Sequence, residues 1–144
     1  MTQPVSRRDS ILLLPALAAA TARAQAPAPA VLGTMVYHDK QIPYKGDEKH
    51  KGRRFFDGAT HTGYHLEMHE TIIGPGLLTH APHKHENEEI VIVLEGTLET
   101  TNEGKSEVAE AGSVIYFASN QLHNARNVGA TPCRYYVLAL LAGA

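Results

Sequence analysis

Two histidines and a glutamate in the middle of the chain have the spacing of a metal site. His83 and His85 are two residues apart, and side chains at that spacing point to the same side of a β-strand. Two imidazoles on one strand face can both reach one ion, at a ligand distance of about 2.1 Å. Glu89 follows a short polar stretch, and a tight bend there would bring its carboxylate near the same point. The segment therefore predicts a site for one divalent transition-metal ion.

His123 is the candidate for a fourth ligand from a distant part of the chain. It follows a loop-like stretch at residues 118–122 and begins another β-prone run. That position suits a site inside a closed sheet. The alternative is that His83 and His85 are ordinary solvated surface residues, which is common for two histidines at this spacing on a strand.

Two other side chains near these candidates could take part in chemistry. Strict alternation turns His80 away from the site, and the alternative is that it serves as an acid/base group or as part of the rim. Tyr116 could offer a phenol to a bound substrate, although an aromatic residue in a strand more often serves packing. Neither side chain has a compelling role on the sequence alone.

Three polar side chains alternate along an earlier segment. His65, Glu67 and His69 share one face, while Leu66 and Met68 share the other. If the polar face looks inward, these residues could orient the ligating imidazoles. The apolar residues need the core, so we expect the polar face to point outward, to solvent or to a second subunit.

Short β-prone runs broken by Gly, Pro and Asn fill the chain from Val31 onward. This pattern predicts an all-β sandwich or barrel in a single domain. Residues 39–54 are charged and loop-like, and residues 90–94 are continuously apolar, as expected of a strand buried on both sides. The predicted strands cover residues 31–37, a segment beginning at Phe55, and residues 63–73, 89–94, 97–101, 106–109, 113–117, 123–128 and 134–141.

The segment around His83 resembles the first motif of the cupin family. That motif is a glycine, about five residues, H-x-H, three or four residues, a glutamate, six residues and a glycine. Here Gly76 is followed by six residues, then by His83-Lys84-His85, three residues, Glu89, six residues and Gly96. The first spacer is one residue longer than in the family.

The second cupin motif, G-x5-P-x-G-x2-H-x3-N, is also present. It runs from Gly112 through Ala118-Ser119-Asn120 and His123 to Asn127. Ala118 replaces the proline and Asn120 replaces a glycine, but asparagine tolerates the left-handed backbone that a turn requires. The resemblance implies a cupin β-barrel (a double-stranded β-helix or jelly roll) over residues 31–144. It also implies that His83, His85, Glu89 and His123 hold the metal.

The first 24 residues are similar to an export signal. Arg7 and Arg8 precede an apolar stretch at residues 11–20, and Ala22-Arg23-Ala24 resembles a cleavage site. The arginine pair favours the twin-arginine route, although Ser10 stands where a phenylalanine is usual, so a general secretory signal is the alternative. Residues 25–30 form a Pro/Ala spacer. We expect a periplasmic or secreted protein that has no membrane segment once the signal is cleaved.

Composition narrows the class of protein further. A net charge of −2 without a dense Lys/Arg stripe argues against nucleic-acid binding. Cys133 is the only cysteine, so it cannot form an internal disulfide, and we expect it to be a buried packing residue.

Taken together, these features predict an exported metal-binding protein that acts on a small molecule. The expected cofactor is one divalent ion per chain (Mn, Fe, Ni, Cu or Zn), and we expect an enzyme for a small oxygenated compound. Oxygenase chemistry is favoured over isomerase or lyase chemistry, and the alternative is a non-catalytic module that binds a small ligand or metal. The resemblance also implies a homodimer, with Tyr135, Tyr136 and residues 137–141 in the contact.

Overall fold

Nine β-strands, all paired antiparallel, make up most of residues 30–142, the part of the chain that the computed structural model describes. The export signal predicted at residues 1–24 lies outside the described residues, as does the spacer up to residue 29. The strands are β1 (Lys45–Gly46), β2 (His50–Ala59), β3 (Tyr64–Ile73), β4 (Glu88–Glu95), β5 (Thr97–Asn102), β6 (Lys105–Glu110), β7 (Val114–Phe117), β8 (His123–Asn127) and β9 (Cys133–Ala142).

The strands form two sheets with the core between them. The larger sheet has the order β1-β2-β3-β9-β4-β7, and the smaller has the order β6-β5-β8. The chain after β3 runs beside β8 and extends the smaller sheet, since the Thr79 amide donates to the Ala125 carbonyl at 2.9 Å. Long-range strand order of this kind closes the sheets into the predicted cupin-type barrel.

The N-terminal part of the barrel differs from the sequence prediction. Within residues 31–37 only Val31 forms a β-bridge, to Ala59, and the side chains of Met35 and Val36 are exposed. Residues 39–54 were expected to be a loop, but they contain β1 and the first half of β2, with a 3₁₀ turn at Asp39–Gln41 before them. The sequence did not predict these strands because they contain charged residues. The side chain that neutralises Arg53, for example, is Glu70 on the neighbouring strand β3.

Those partners form a buried ion-pair cluster on the outer side of the larger sheet. The Glu70 side chain is fully buried and accepts hydrogen bonds from Arg53 Nε at 2.6 Å, the Tyr44 hydroxyl at 2.9 Å and Arg134 at 3.3 Å. Arg53 also pairs with Asp39. The cluster holds the segment before β1 against the sheet.

Strands β4 and β9 each bury one face rather than two. Val91 and Val93 are buried in the core, whereas Ile90 is 38% exposed, so the expectation of a β4 strand buried on both sides was wrong. In β9, Tyr135 and Val137 point into the core and are buried. The predicted subunit contact is therefore wrong at Tyr135 and Val137, because alternation along the strand keeps them inside.

Two turns show why particular residues occur in the motifs. Gly96 has a φ of +82°, and a Cβ there would lie 2.8 Å from the Cα of Cys133, so only glycine fits between β4 and β5. Asn120 has a φ of +61°, which confirms the left-handed turn expected where asparagine replaces glycine. Cys133 is fully buried, and desolvation raises the pKa of its thiol to about 11, as expected of a packing residue.

Across residues 30–142, no helix has both the length and the apolar character needed to span a bilayer.

Candidate metal centre

His83 and His123 lie opposite each other at the open end of the smaller sheet. The His83 amide donates to the His123 carbonyl at 3.1 Å, and the His123 amide donates to the His83 carbonyl at 2.9 Å. This single bridge is the only β pairing near His83, because residues 84–87 are irregular. The strand expected through His83 and His85 is therefore absent. The irregular backbone, rather than strand alternation, brings the His85 ring next to the rings of His83 and His123.

Three imidazoles converge at this point. His83, His85 and His123 each offer one ring nitrogen, and the three nitrogens lie within 4.8 Å of one another. The ring of His123 is 98% shielded from solvent and stacks on Phe117, with 4.1 Å between the ring centroids. A group of three nitrogens at this separation could hold one metal ion.

The backbone around the rings fixes which nitrogen faces the centre. His85 Nδ1 donates to the Asn87 carbonyl at 3.0 Å, and His123 Nδ1 donates to the Gln121 carbonyl at 2.9 Å. These bonds leave the Nε2 lone pairs of both rings free. His85 Nε2, His123 Nε2 and His83 Nδ1 are buried without any hydrogen-bond partner among the described residues.

Buried polar atoms without partners are rare, and three on neighbouring imidazole rings need an explanation. A divalent ion would satisfy all three, so the residues present fit the metal that the sequence predicts. Burial also lowers the pKa of His123 below its usual value, which favours the neutral form that binds metals.

Glu89 is close to one of the three nitrogens. It begins the inner face of β4, and its Oε2 lies 3.2 Å from His85 Nε2, without the geometry of a hydrogen bond. The side chain is 14% exposed. The structure therefore brings together all four residues expected from the sequence, with three in one tight group and Glu89 beside His85. Their role as ligands stays a prediction.

A small cavity inside the barrel borders this centre. Its volume is about 160 Å³, and its wall includes His123 and Glu89 at one end. The rest of the wall combines apolar side chains, such as Val91 and Phe117, with polar ones, such as His69. Drug-sized ligands occupy pockets of about 300–1,000 Å³, so this cavity suits a smaller organic molecule.

Comparison with known proteins identifies the fold of this barrel. Residues 69–139 match the profile of the Cupin_2 family, described as a cupin domain. The barrel has the cupin fold. No curated protein matches the chain.

Several solved structures share the fold of this chain. An RmlC-like cupin from Shewanella frigidimarina is 17% identical, covers 76% of this chain and 93% of its own, and has a TM-score of 0.63. The polyketide cyclase RemF from Streptomyces resistomycificus is 23% identical, with 76% and 80% covered and a TM-score of 0.60. A predicted oxalate decarboxylase from Thermotoga maritima is 20% identical, with 74% and 99% covered and a TM-score of 0.60. At these identities the likeness establishes the fold and not the activity.

His80 lies at the rim of the cupin cavity, contrary to what strand alternation suggested. Its ring packs edge-on against His83, with 4.2 Å between centroids, because the chain is irregular here. Partial desolvation and the nearby His83 and His123 lower the pKa of His80 to about 4. Tyr116, the other candidate, is exposed on the outer face of the barrel, where its hydroxyl donates to Glu88. It does not reach the cavity.

The face of β3 that carries His65, Glu67 and His69 points into the cupin barrel, so the expected outward orientation was wrong. His69 lines the same cavity as Glu89 and His123. The apolar side chains of Leu66 and Met68 occupy the outer face, which is itself covered in part. The four candidate ligands could have predicted the inward orientation, because a barrel whose interior holds polar residues can accept further polar residues there.

Proposed function

We propose that the chain is an exported, metal-dependent enzyme that acts on a small oxygenated organic compound. His83, His85, Glu89 and His123 would hold one divalent transition-metal ion. The observation that carries this proposal is a group of three imidazoles beside a cavity, each of which has one buried nitrogen without a hydrogen-bond partner among the described residues. A purely structural role would leave these nitrogens unsatisfied at a cost of about 1–3 kcal/mol each.

A bound ion would supply Lewis-acid polarisation of a carbonyl or carboxylate oxygen or, for iron, manganese or copper, a route to dioxygen chemistry. The protein contributes the binding geometry and a cavity that limits the size of the substrate. Three neutral imidazoles and one carboxylate leave a divalent ion with net positive charge, which favours an anionic or enolisable compound. We propose oxygenase chemistry ahead of isomerase or lyase chemistry.

The proposal is tested on protein taken from its native compartment. Its intact mass reports whether the mature chain begins after Ala24, and its metal content identifies the ion. We expect about one ion per chain, and oxygen uptake when small phenols, enols and diketones are supplied in turn. Turnover of these compounds without oxygen uptake would favour the isomerase or lyase class. A filled site without any turnover would instead indicate a non-catalytic binding protein.

The outer face of the larger sheet supports the further proposal that the protein is a homodimer. Ile90 pairs in register with Tyr116 and Leu138, and Val114 and Leu140 continue the same face. Ile90, Val114, Tyr116 and Leu140 are each exposed by more than a third. Contiguous apolar residues of this kind mark contact sites, and pairing would cover the edge strand β7.

Replacing Ile90 by glutamate is expected to convert the dimer to a monomer, because two charges would be buried at a two-fold contact. Light scattering after size-exclusion chromatography measures the change. Val108→Glu is the matched control, since Val108 is also exposed but lies on β6 in the other sheet. A wild-type monomer, or an Ile90→Glu dimer, would contradict this assignment of the contact.

A further inference from the structure

We infer that His69, oriented by Glu67, is the base that removes a proton from a small enolisable carbonyl compound in the barrel cavity. This inference rests on the proposed function, and it adds a residue from outside the four proposed ligands. It concerns a pair of side chains that sequence alternation had assigned to the outer surface.

Glu67 and His69 lie on the same sheet as Glu89, two strands away from it. Glu67 is in register with Ala139 of β9, and Ala139 is in register with Glu89 of β4. Two strand spacings, about 10 Å, therefore separate Glu67 from Glu89 on the same inner face. The residue between Glu67 and Glu89 is alanine, which leaves space beside both carboxylates, whereas Val137 lies between His69 and β4. His69 lies one inner-face position further along β3 and lines the cavity.

Hydrogen bonds orient the His69 ring for accepting a proton. His69 Nδ1 lies 2.9 Å from both carboxylate oxygens of Glu67, and Arg54 Nε pairs with the same carboxylate at 3.2 Å. With Nδ1 donating to Glu67, Nε2 carries the lone pair. Within residues 30–142 no hydrogen bond to His69 Nε2 is present, so this nitrogen is available to a substrate. The carboxylate would stabilise the imidazolium that forms, as in other histidine–carboxylate pairs.

The step that this geometry supports is a simple proton transfer. A C–H bond next to a carbonyl group breaks, and its proton moves to His69 Nε2. The bonding electron pair forms a carbon–carbon double bond, and the carbonyl oxygen takes the negative charge. That oxygen would lie at the part of the cavity wall formed by His123 and Glu89, two of the four proposed ligands. A cavity of about 160 Å³ restricts the substrate to a compound of the size of a short 2-oxo acid.

Deuterium exchange into pyruvate tests the inference without knowledge of the natural substrate. The Zn²⁺-loaded protein in D₂O is expected to speed the loss of the methyl proton signal relative to metal-free protein. His69→Gln should lower this rate by about a hundredfold or more, the range for loss of a general base. Glu67→Gln should lower it less. That variant should lower the maximal rate and leave unchanged the pyruvate concentration that gives half of this rate, because only the orientation of the His69 ring is lost.

His65→Gln is the matched control, since His65 lies on the same strand face but pairs with Asp57 at 2.6 Å and does not line the cavity. Its exchange rate should equal that of the wild type. Zinc content and thermal unfolding of each variant separate a lost base from a damaged fold. A His69→Gln protein with full zinc and the wild-type rate would overturn the role of His69 and leave the proposed function standing. Wild-type protein that is no faster with zinc than without it would overturn the proton transfer proposed here, whereas the proposed function is decided separately by metal content and turnover.

Discussion

Replacing His85 by alanine is expected to lower the affinity for Zn²⁺ by more than about a hundredfold. Loss of a residue that merely orients a ligand typically costs 10–100-fold in metal affinity, so loss of a ligand should cost more. His85 is the best choice among the three histidines because it is partly exposed, whereas His123 is buried and stacks on Phe117. Competition with a chromophoric chelator measures the affinity.

The stability of the metal-free protein provides an independent test of the same site. Removing the ring abolishes the Nδ1 bond to the Asn87 carbonyl but also removes the buried, unpartnered Nε2, so the free energy of unfolding should change by less than about 1 kcal/mol. A histidine with a purely structural role would show a larger loss of stability. His65→Ala serves as the control and should retain full affinity, since its ring pairs with Asp57 away from the centre. Unchanged zinc affinity in His85→Ala would refute the proposed ligand set.

Replacing Glu70 by glutamine should destabilise the protein by about 3 kcal/mol, within the range for breaking a buried ion pair. The Glu70 carboxylate is fully buried and neutralises Arg53, whose side chain is 4% exposed. Asp39 would still offset part of the Arg53 charge, which places the effect at the lower end of the range. Urea denaturation of the metal-free protein measures the loss.

The matched control for Glu70 is Glu95, which pairs with Arg134 at 2.8 Å but is 64% exposed. An exposed ion pair contributes about 0–1 kcal/mol, so Glu95→Gln should change stability little. Equal effects of the two substitutions would show that the cluster around Glu70 does not stabilise the fold. Glu70→Gln should also release the segment around Tyr44, whose hydroxyl donates to Glu70, and amide exchange in residues 38–44 would report that release.

Much of the barrel was predictable because short strands alternate with strong turn residues. The strands from β4 to β9 occur where the sequence pattern placed them, with boundaries shifted by at most one residue. The spacing of the four candidate ligands was also informative, since two motifs separated by a variable loop place them at one end of the barrel. In the first half of β2, by contrast, charged residues such as Arg53 concealed a strand because their partners were remote in sequence.

Side-chain orientation was harder to predict near the centre. Alternation assigns faces only within a regular strand, and the chain around His80 and His85 is irregular. For His69 the error had another cause. The rule that apolar residues face the core fails when the barrel interior encloses a polar site and its outer wall is apolar. The same rule gave a wrong prediction for the apolar run of β4, which was expected to be buried on both sides, since Ile90 faces outward.

The bridge between His83 and His123 has a consequence for the order of assembly. The 39 residues between them contain β4, β5, β6 and β7, so the two histidines meet only after four strands have found their places. The entropy of closing so long a loop must be offset before the bridge can form. The binding pocket for the ion is thus among the last features to be completed, and a loaded protein is one whose folding has already finished. If the chain uses an export route that accepts folded proteins, a chain with a bound ion would already be folded and could be exported.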